Sequence, residues 1–223
     1  MLRTAEQAAQ IFEAEHPQVT DCLGALGLAG VRYAIVGSRT ARLASLMLGT
    51  PDLAEPDDWD LQILPEDFEL AVDRTRAEVR RDARFEIPTG DGQLMCFAAD
   101  DARAHIGSDT IQFMRLHGLV SVNGRTFNTS FSSEAFAASQ QHRTLHFAHD
   151  TETITLYGLR QGDHRMGKQD LLRAAATRAV RHPSTESYAR RRALQAGWDD
   201  RLREFDAAAA CKAIEFWANA IAA

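Results

Sequence analysis

The chain of 223 residues is poor in cysteine, has no long apolar run and carries none of the common nucleotide-binding or hydrolase signatures. Each absence removes a class. Three cysteines, Cys22, Cys96 and Cys211, make no CxxC pair and no disulfide framework, so a stapled secreted scaffold is excluded and reduced cytoplasmic thiols are expected. No apolar stretch approaches the ~18 residues that a membrane helix needs, and the opening MLRTAEQAAQIFEAEH is polar and acidic, unlike a signal peptide. GxxxxGKS/T, GxGxxG, HExxH and GxSxG are all missing, which removes support for the P-loop, Rossmann, zincin and α/β-hydrolase readings. What is present is ordinary globular composition: 45% hydrophobic and 25% charged residues, with no internal repeat and no low-complexity linker. A chain this long can bury about 70–75% of its unfolded surface without a staple.

The net charge of −6 is unevenly spread. Residues 165–203 carry ten basic side chains, nine Arg and Lys168, against four acidic ones, so a basic segment follows an acidic body. Such a segment can meet a phosphate-rich partner or simply form a solvated helix face. The acidic body lacks a long basic face, which disfavours duplex nucleic acid.

Local patterns predict a mixed α/β order. Thr4 to Gln7 has the form of a capping box, and Ala8, Ile11, Phe12 and Ala14 share a helix face that ends near His16 and Pro17. A second helix spans Val19 to Leu28, and Arg32 to Val36 is a buried strand between Gly30 and Gly37. Ser38 to Leu48 is helical, and Asp58 to Leu64 alternates as a strand. Pro65 opens a helix expected to reach about Asp82. Hairpins are expected around Thr89 to Gly92 and around Asn123-Gly124, with Asp109 to Leu116 as an alternating strand before the second. Ser132 to Glu134 starts a helix, and Thr151 to Leu159 is a further strand or extended segment. From Lys168 the chain is rich in Ala, Leu and Arg and predicts helix to its end. The expected architecture is an α/β domain of the α+β type over residues 1–165, with a small mixed sheet, followed by a C-terminal helical subdomain over residues 166–223.

Chemistry concentrates in Ile35-Val36-Gly37-Ser38-Arg39 and, twenty residues on, Asp58-Trp59-Asp60. A strand that ends in Gly-Ser and turns into a helix lets backbone approach a phosphate and offers it N–H and hydroxyl donors. Asp58 and Asp60 lie two apart on a strand, so both carboxylates emerge on one face about 7 Å apart, a spacing that suits a shared divalent ion such as Mg²⁺. Trp59 between them points to the other face, into the core.

This pairing resembles the DNA polymerase β-like nucleotidyltransferases, in particular small members of the aminoglycoside-nucleotidyltransferase or toxin–antitoxin type. The resemblance covers roughly Tyr33 to Leu172. It implies transfer of a nucleoside monophosphate from a nucleoside triphosphate to an acceptor hydroxyl of a small molecule, a protein or an RNA end, with Mg²⁺ or Mn²⁺ as cofactor and pyrophosphate released. It further implies that Asp58 and Asp60 are catalytic metal ligands, that Asp109 in Ser108-Asp109-Thr110-Ile111 is the third carboxylate, and that Gly37, Ser38 and Arg39 hold the nucleotide. Gly167-Lys168-Gln169-Asp170 is similar to the family's later lysine element, so Lys168 is expected to reach the triphosphate.

Asp100 and Asp101 compete with Asp109 for the third position, and could equally cap a following helix. His142, His146 and His149 have a spacing that zinc could use, although a run of surface histidines from helix to loop explains them as well. A different class of function stands beside the enzyme: a non-catalytic nucleotidyltransferase-fold module that binds a partner, such as a toxin–antitoxin component. A third reading is an α/β protein in which Gly-Ser and DxD are coincidental.

Overall fold

The computed structural model describes residues 3–48, 58–89, 93–122, 125–127, 133–148 and 203. The segment expected as a strand over 151–159, Lys168 and the helical subdomain expected over 166–223, Arg203 apart, lie outside the described residues, as do residues 90–92 and 123–124 of the two expected hairpins. The described part is mixed α/β. Helices α1 (Ala5–Glu15) and α2 (Pro17–Leu28) precede strand β1 (Tyr33–Ile35) and helix α3 (Gly37–Leu48). Strand β2 (Asp58–Ile63), a 3-10 turn (Pro65–Asp67) and helix α4 (Phe68–Thr75) follow. Three long strands come next, β3 (Glu78–Thr89), β4 (Gln93–Ile106) and β5 (Asp109–Val122), and then β6 (Arg125–Phe127), α5 (Ser133–Ala138), β7 (Gln140–His142) and β8 (Leu145–Phe147).

The strands form one eight-stranded mixed sheet in the order β3-β4-β5-β2-β1-β8-β7, with β6 paired to β5. β1 runs antiparallel to β2, while β2 and β5 are parallel, with Asp58 opposite Thr110 and Asp60 opposite Gln112. β4 is antiparallel to β5, placing Asp101 opposite Met114, Arg103 opposite Gln112 and His105 opposite Thr110.

One face of the sheet is the core. Trp59, Leu61 and Ile63 of β2 alternate inward and meet Ile111 and Phe113 of β5, beneath Phe12 of α1, Val19, Leu23 and Leu26 of α2, and Phe68 and Ala71 of α4. Alternation of period two on a half-covered sheet dictates this arrangement, because a one-residue slip would drive Asp58, Asp60 and Gln62 into that apolar layer. Phe12 meets the Trp59 ring edge-on with centroids 5.8 Å apart, and buried aromatic contacts of this type stabilise beyond their area. On the opposite face a smaller apolar cluster joins Ala34, Leu64 and Ala148 to Val36 and Phe136 of α5.

Local chemistry sets the element ends. The Thr4 hydroxyl accepts the Gln7 N–H and the Gln7 side chain accepts the Thr4 N–H, the reciprocal capping box. The helix expected to reach Asp82 stops instead at Thr75, because Arg76 takes the left-handed conformation (φ 54°) that ends a helix, and the next residues pair with β4. Asp100 and Asp101 cap no helix; both lie within β4. The expected helix-to-loop run of histidines is a hairpin, with His142 ending β7 and His146 in β8.

Candidate active site

The antiparallel register of β1 and β2 delivers the end of β1 beside the start of β2. The Val36 N–H donates to the Asp60 carbonyl at 2.9 Å, so Gly37 and Ser38 leave the sheet level with Trp59 and Asp58. Gly37 takes φ 72°, a conformation that a side chain resists, and this turns the chain directly from β1 into α3. Asp58 and Asp60, both half-buried, stand on the face opposite the core. The same face carries Thr110 and Gln112 of β5 and Asp101, Arg103 and His105 of β4. Gln112 donates its amide to Asp101 at 2.7 Å, and Arg103 donates Nε to the other oxygen of Asp101 at 3.3 Å.

The remaining expected site residues fall elsewhere. Arg39 does not face this surface: it is 1% exposed, beneath β2 on the core side. Its Nε donates to the Asp58 carbonyl at 3.1 Å, one terminal nitrogen meets His16 Nε2 at 3.0 Å, and the other reaches Asp109 at 3.4 Å. Its guanidinium also lies 4.5 Å from the centroid of the Trp59 ring. Asp109 is likewise turned away from Asp58 and Asp60. It shares the parity of Ile111 and Phe113, and its carboxylate accepts from Trp59 Nε1 at 3.2 Å and from His16 Nδ1 at 3.1 Å. The three carboxylates expected to converge therefore do not: Asp58 and Asp60 occupy one face of the sheet and Asp109 the other. Lys168 lies outside the described residues.

The two competitors for the third position separate in the same way. Asp101 is on the face of Asp58 and Asp60, but β5 intervenes, so it stands two strand spacings, about 10 Å, from β2. Gln112, beside Asp60, fills the gap between them. Asp100 points to the core side. It accepts hydrogen bonds from Arg81 (3.0 Å), Arg115 (2.6 and 3.2 Å), His117 (2.8 Å) and the Asp82 N–H (3.0 Å). Burial alone raises the pKa of this carboxyl, but the bonds from His117, the Asp82 backbone, Arg115 and Arg81 outweigh it and hold the group well below the usual carboxylate range.

Asp82, Asp100 and His117 each offer one ligand atom, all within 4.8 Å of one another, and could hold a metal ion. Two guanidiniums already occupy Asp100, so an ion there must displace charge-assisted hydrogen bonds. Asp58 and Asp60, two carboxylates on one strand face, are a donor set of the type that suits Mg²⁺ or Mn²⁺. His16, Gln112 and Trp59 Nε1 are the polar participants that sequence reasoning left without a role.

No protein-family model, no curated protein and no solved structure matches the chain. The likeness to nucleotidyltransferases rests on the residues themselves. Among the described residues no helix is long and apolar enough to cross a membrane.

Proposed function

We propose that this chain binds a nucleoside triphosphate together with Mg²⁺ or Mn²⁺ and transfers its nucleoside monophosphate to an acceptor hydroxyl, releasing pyrophosphate. One observation carries the reading: the β1–β2 register sets Gly37 and Ser38, at the turn into α3, beside the paired carboxylates Asp58 and Asp60. In this reading Asp58 and Asp60 hold the divalent ion. The Gly37 N–H and the Ser38 hydroxyl donate to phosphate oxygens at the helix start. The ion, when bound, would neutralise the charge on those oxygens. In this reading Lys168 adds a cation toward the triphosphate, in a protein of the cytoplasm.

A specific observation supports a second reading, a nucleotide-binding module without catalysis. Asp109 is tied to the core side by His16, Arg39 and Trp59, which leaves Gln112, an amide, next to Asp60 on the third strand. Two measurements separate the readings. Thermal melts with each ribonucleoside triphosphate, with and without Mg²⁺ or Mn²⁺, test binding: ligand at 100 times its Kd stabilises by about 2.7 kcal/mol, which raises Tm by about 5–11 °C. Asp60→Asn removes that shift if the site is correct. A labelled-nucleotide transfer assay on the wild type then separates turnover from binding alone. No metal-dependent shift with any triphosphate refutes both readings.

A further inference from the structure

We propose that Arg39 is a positioning residue: a buried strut that fixes the Gly37-Ser38 turn against Asp58. The consequence for nucleotide affinity rests on the proposed nucleotide binding at that turn; the strut itself does not.

Arg39 directly follows Ser38, and its guanidinium is spread over three partners from three different elements. Nε binds the Asp58 carbonyl of β2, one terminal nitrogen binds His16 at the α1–α2 corner, and the other binds Asp109 of β5. The Trp59 ring, between the two aspartates in sequence, lies against it. Because an arginine donates only, His16 Nε2 must accept from it, which leaves Nδ1–H to donate to Asp109. The chain of donors and acceptors is therefore directional: Arg39 to His16 to Asp109, with Trp59 closing on the same carboxylate.

A fully buried guanidinium is costly unless its donors are met, so this arrangement resists rearrangement. It bears on the candidate site in two places. Along the backbone, Arg39 is one residue from Ser38, so wherever the guanidinium is anchored the first turn of α3 is anchored. Across the sheet, the Nε bond holds the peptide unit of Asp58, the residue whose carboxylate faces the other side. Groups that orient a ligand set from behind change its affinity without touching the ligand. The fork matters here more than the charge, since lysine offers a point charge that cannot span three acceptors.

Arg39→Lys is the test, with Arg42→Lys, one turn on in α3 and paired with Glu15 at 3.9 Å, as the control for a general weakening of the helix. Two readouts are taken on full-length protein: the backbone amide resonances of Ser38 and Asp58 in ¹H–¹⁵N spectra, and the affinity for Mg²⁺–ATP. Arg39→Lys is expected to move both resonances and to weaken Mg²⁺–ATP by about 10–100-fold, while Arg42→Lys does neither. His16→Phe keeps a ring against Trp59 but removes the acceptor for Arg39, and is expected to move the same two resonances if Arg39→Lys fails to fold. Unmoved resonances overturn the strut, as does unchanged Mg²⁺–ATP affinity in a wild type that binds it. If the wild type binds no triphosphate, the nucleotide reading falls, and the resonances alone decide the strut.

Discussion

Asp109→Asn distinguishes a metal ligand from a core anchor. The side chain of Asp109 is 15% exposed and accepts from three donors, of which Arg39 is charged and Trp59 Nε1 and His16 Nδ1 are fixed in place by packing. The amide keeps the shape and one acceptor oxygen, so the Trp59 contact survives. It turns an –NH₂ toward a donor and loses the negative charge facing Arg39. A hydrogen bond to a charged group contributes about 1.5–3 kcal/mol, so the variant should lose that much. At about 2–4 °C per kcal/mol for a chain of this size, Tm should fall by about 3–12 °C. Mn²⁺ affinity, read by electron paramagnetic resonance of the free ion, should stay within about threefold of wild type, because Asp58 and Asp60 stand on the opposite face. Asp60→Asn should instead lose Mn²⁺ binding, since that carboxylate stands on the metal face. If Asp109→Asn keeps its Tm and loses Mn²⁺, the carboxylate reaches the metal face, and Asp109 does not belong to the core side of the sheet.

Asp100→Asn should cost about 1.5–3 kcal/mol in urea denaturation at pH 7, since it removes the buried charge that Arg81, Arg115 and His117 meet while leaving the two arginines, both partly exposed, their Glu69 partner; a loss under about 1 kcal/mol would show that the cluster contributes little. The folded pKa of Asp100 is depressed, so the stability it supplies is present above the ordinary carboxylate value, about pH 4, and is lost as pH falls; the variant should show a flatter acid limb. Burial lowers the pKa of His146, whose ring lies between Tyr33 and Phe136, so its contribution is present above about pH 6.5 and declines as pH falls; His146→Phe should remove that slope between about pH 7 and 5. Gly37→Ala should destabilise by about 1–2 kcal/mol because φ is 72° there, whereas Gly24→Ala, within α2 and with open space around the added methyl, should stabilise by about 0.5–1 kcal/mol; equal effects in thermal melts would contradict the backbone assignment at Gly37.

Where a pattern was local and complete, the sequence carried the fold. Thr4 and Gln7 contain both halves of a capping box, and the reciprocal bonds form. Asp58 to Ile63 alternates strictly within the strand expected to Leu64, and β2 covers those six residues. The helix after Pro65 was legible at its start and not at its end. Nothing in Val79-Arg80-Arg81-Asp82 distinguishes a charged helix face from a strand, and the decision comes from pairing with Ala102 and Asp101, about twenty residues away. Tertiary pairing of that kind overrides local preference and leaves no periodic trace. The bulge between Arg80 and Ala83 blurs the alternation further.

Which sheet face each candidate site residue takes was legible in the same alternation. Asp58 and Asp60 are out of phase with Trp59, Leu61 and Ile63, which marks their face as the one away from the core. Applied to Asp109-Thr110-Ile111-Gln112-Phe113, that rule puts Asp109 in phase with Ile111 and Phe113, hence inward, and puts Thr110 and Gln112 outward. Applied to Asp100-Asp101-Ala102-Arg103-Ala104, it sends Asp100 inward with the two alanines and Asp101 outward with Arg103. The structure follows this phase at these positions. Matching a third carboxylate by its strand alone, without its phase, is what pointed to Asp109. Phase does not give strand order, however. Only the assembled sheet shows that β5 separates Asp101 from β2 and that Gln112 occupies the position beside Asp60. Nor does phase reveal that His16, at a helix corner 93 residues from Asp109, supplies its partner, since long-range polar contacts of this kind follow from packing helices on a sheet. An inward carboxylate beside an inward indole must find donors, because burying it without them is prohibitively costly, and the Arg that follows Gly-Ser is the donor the chain places there.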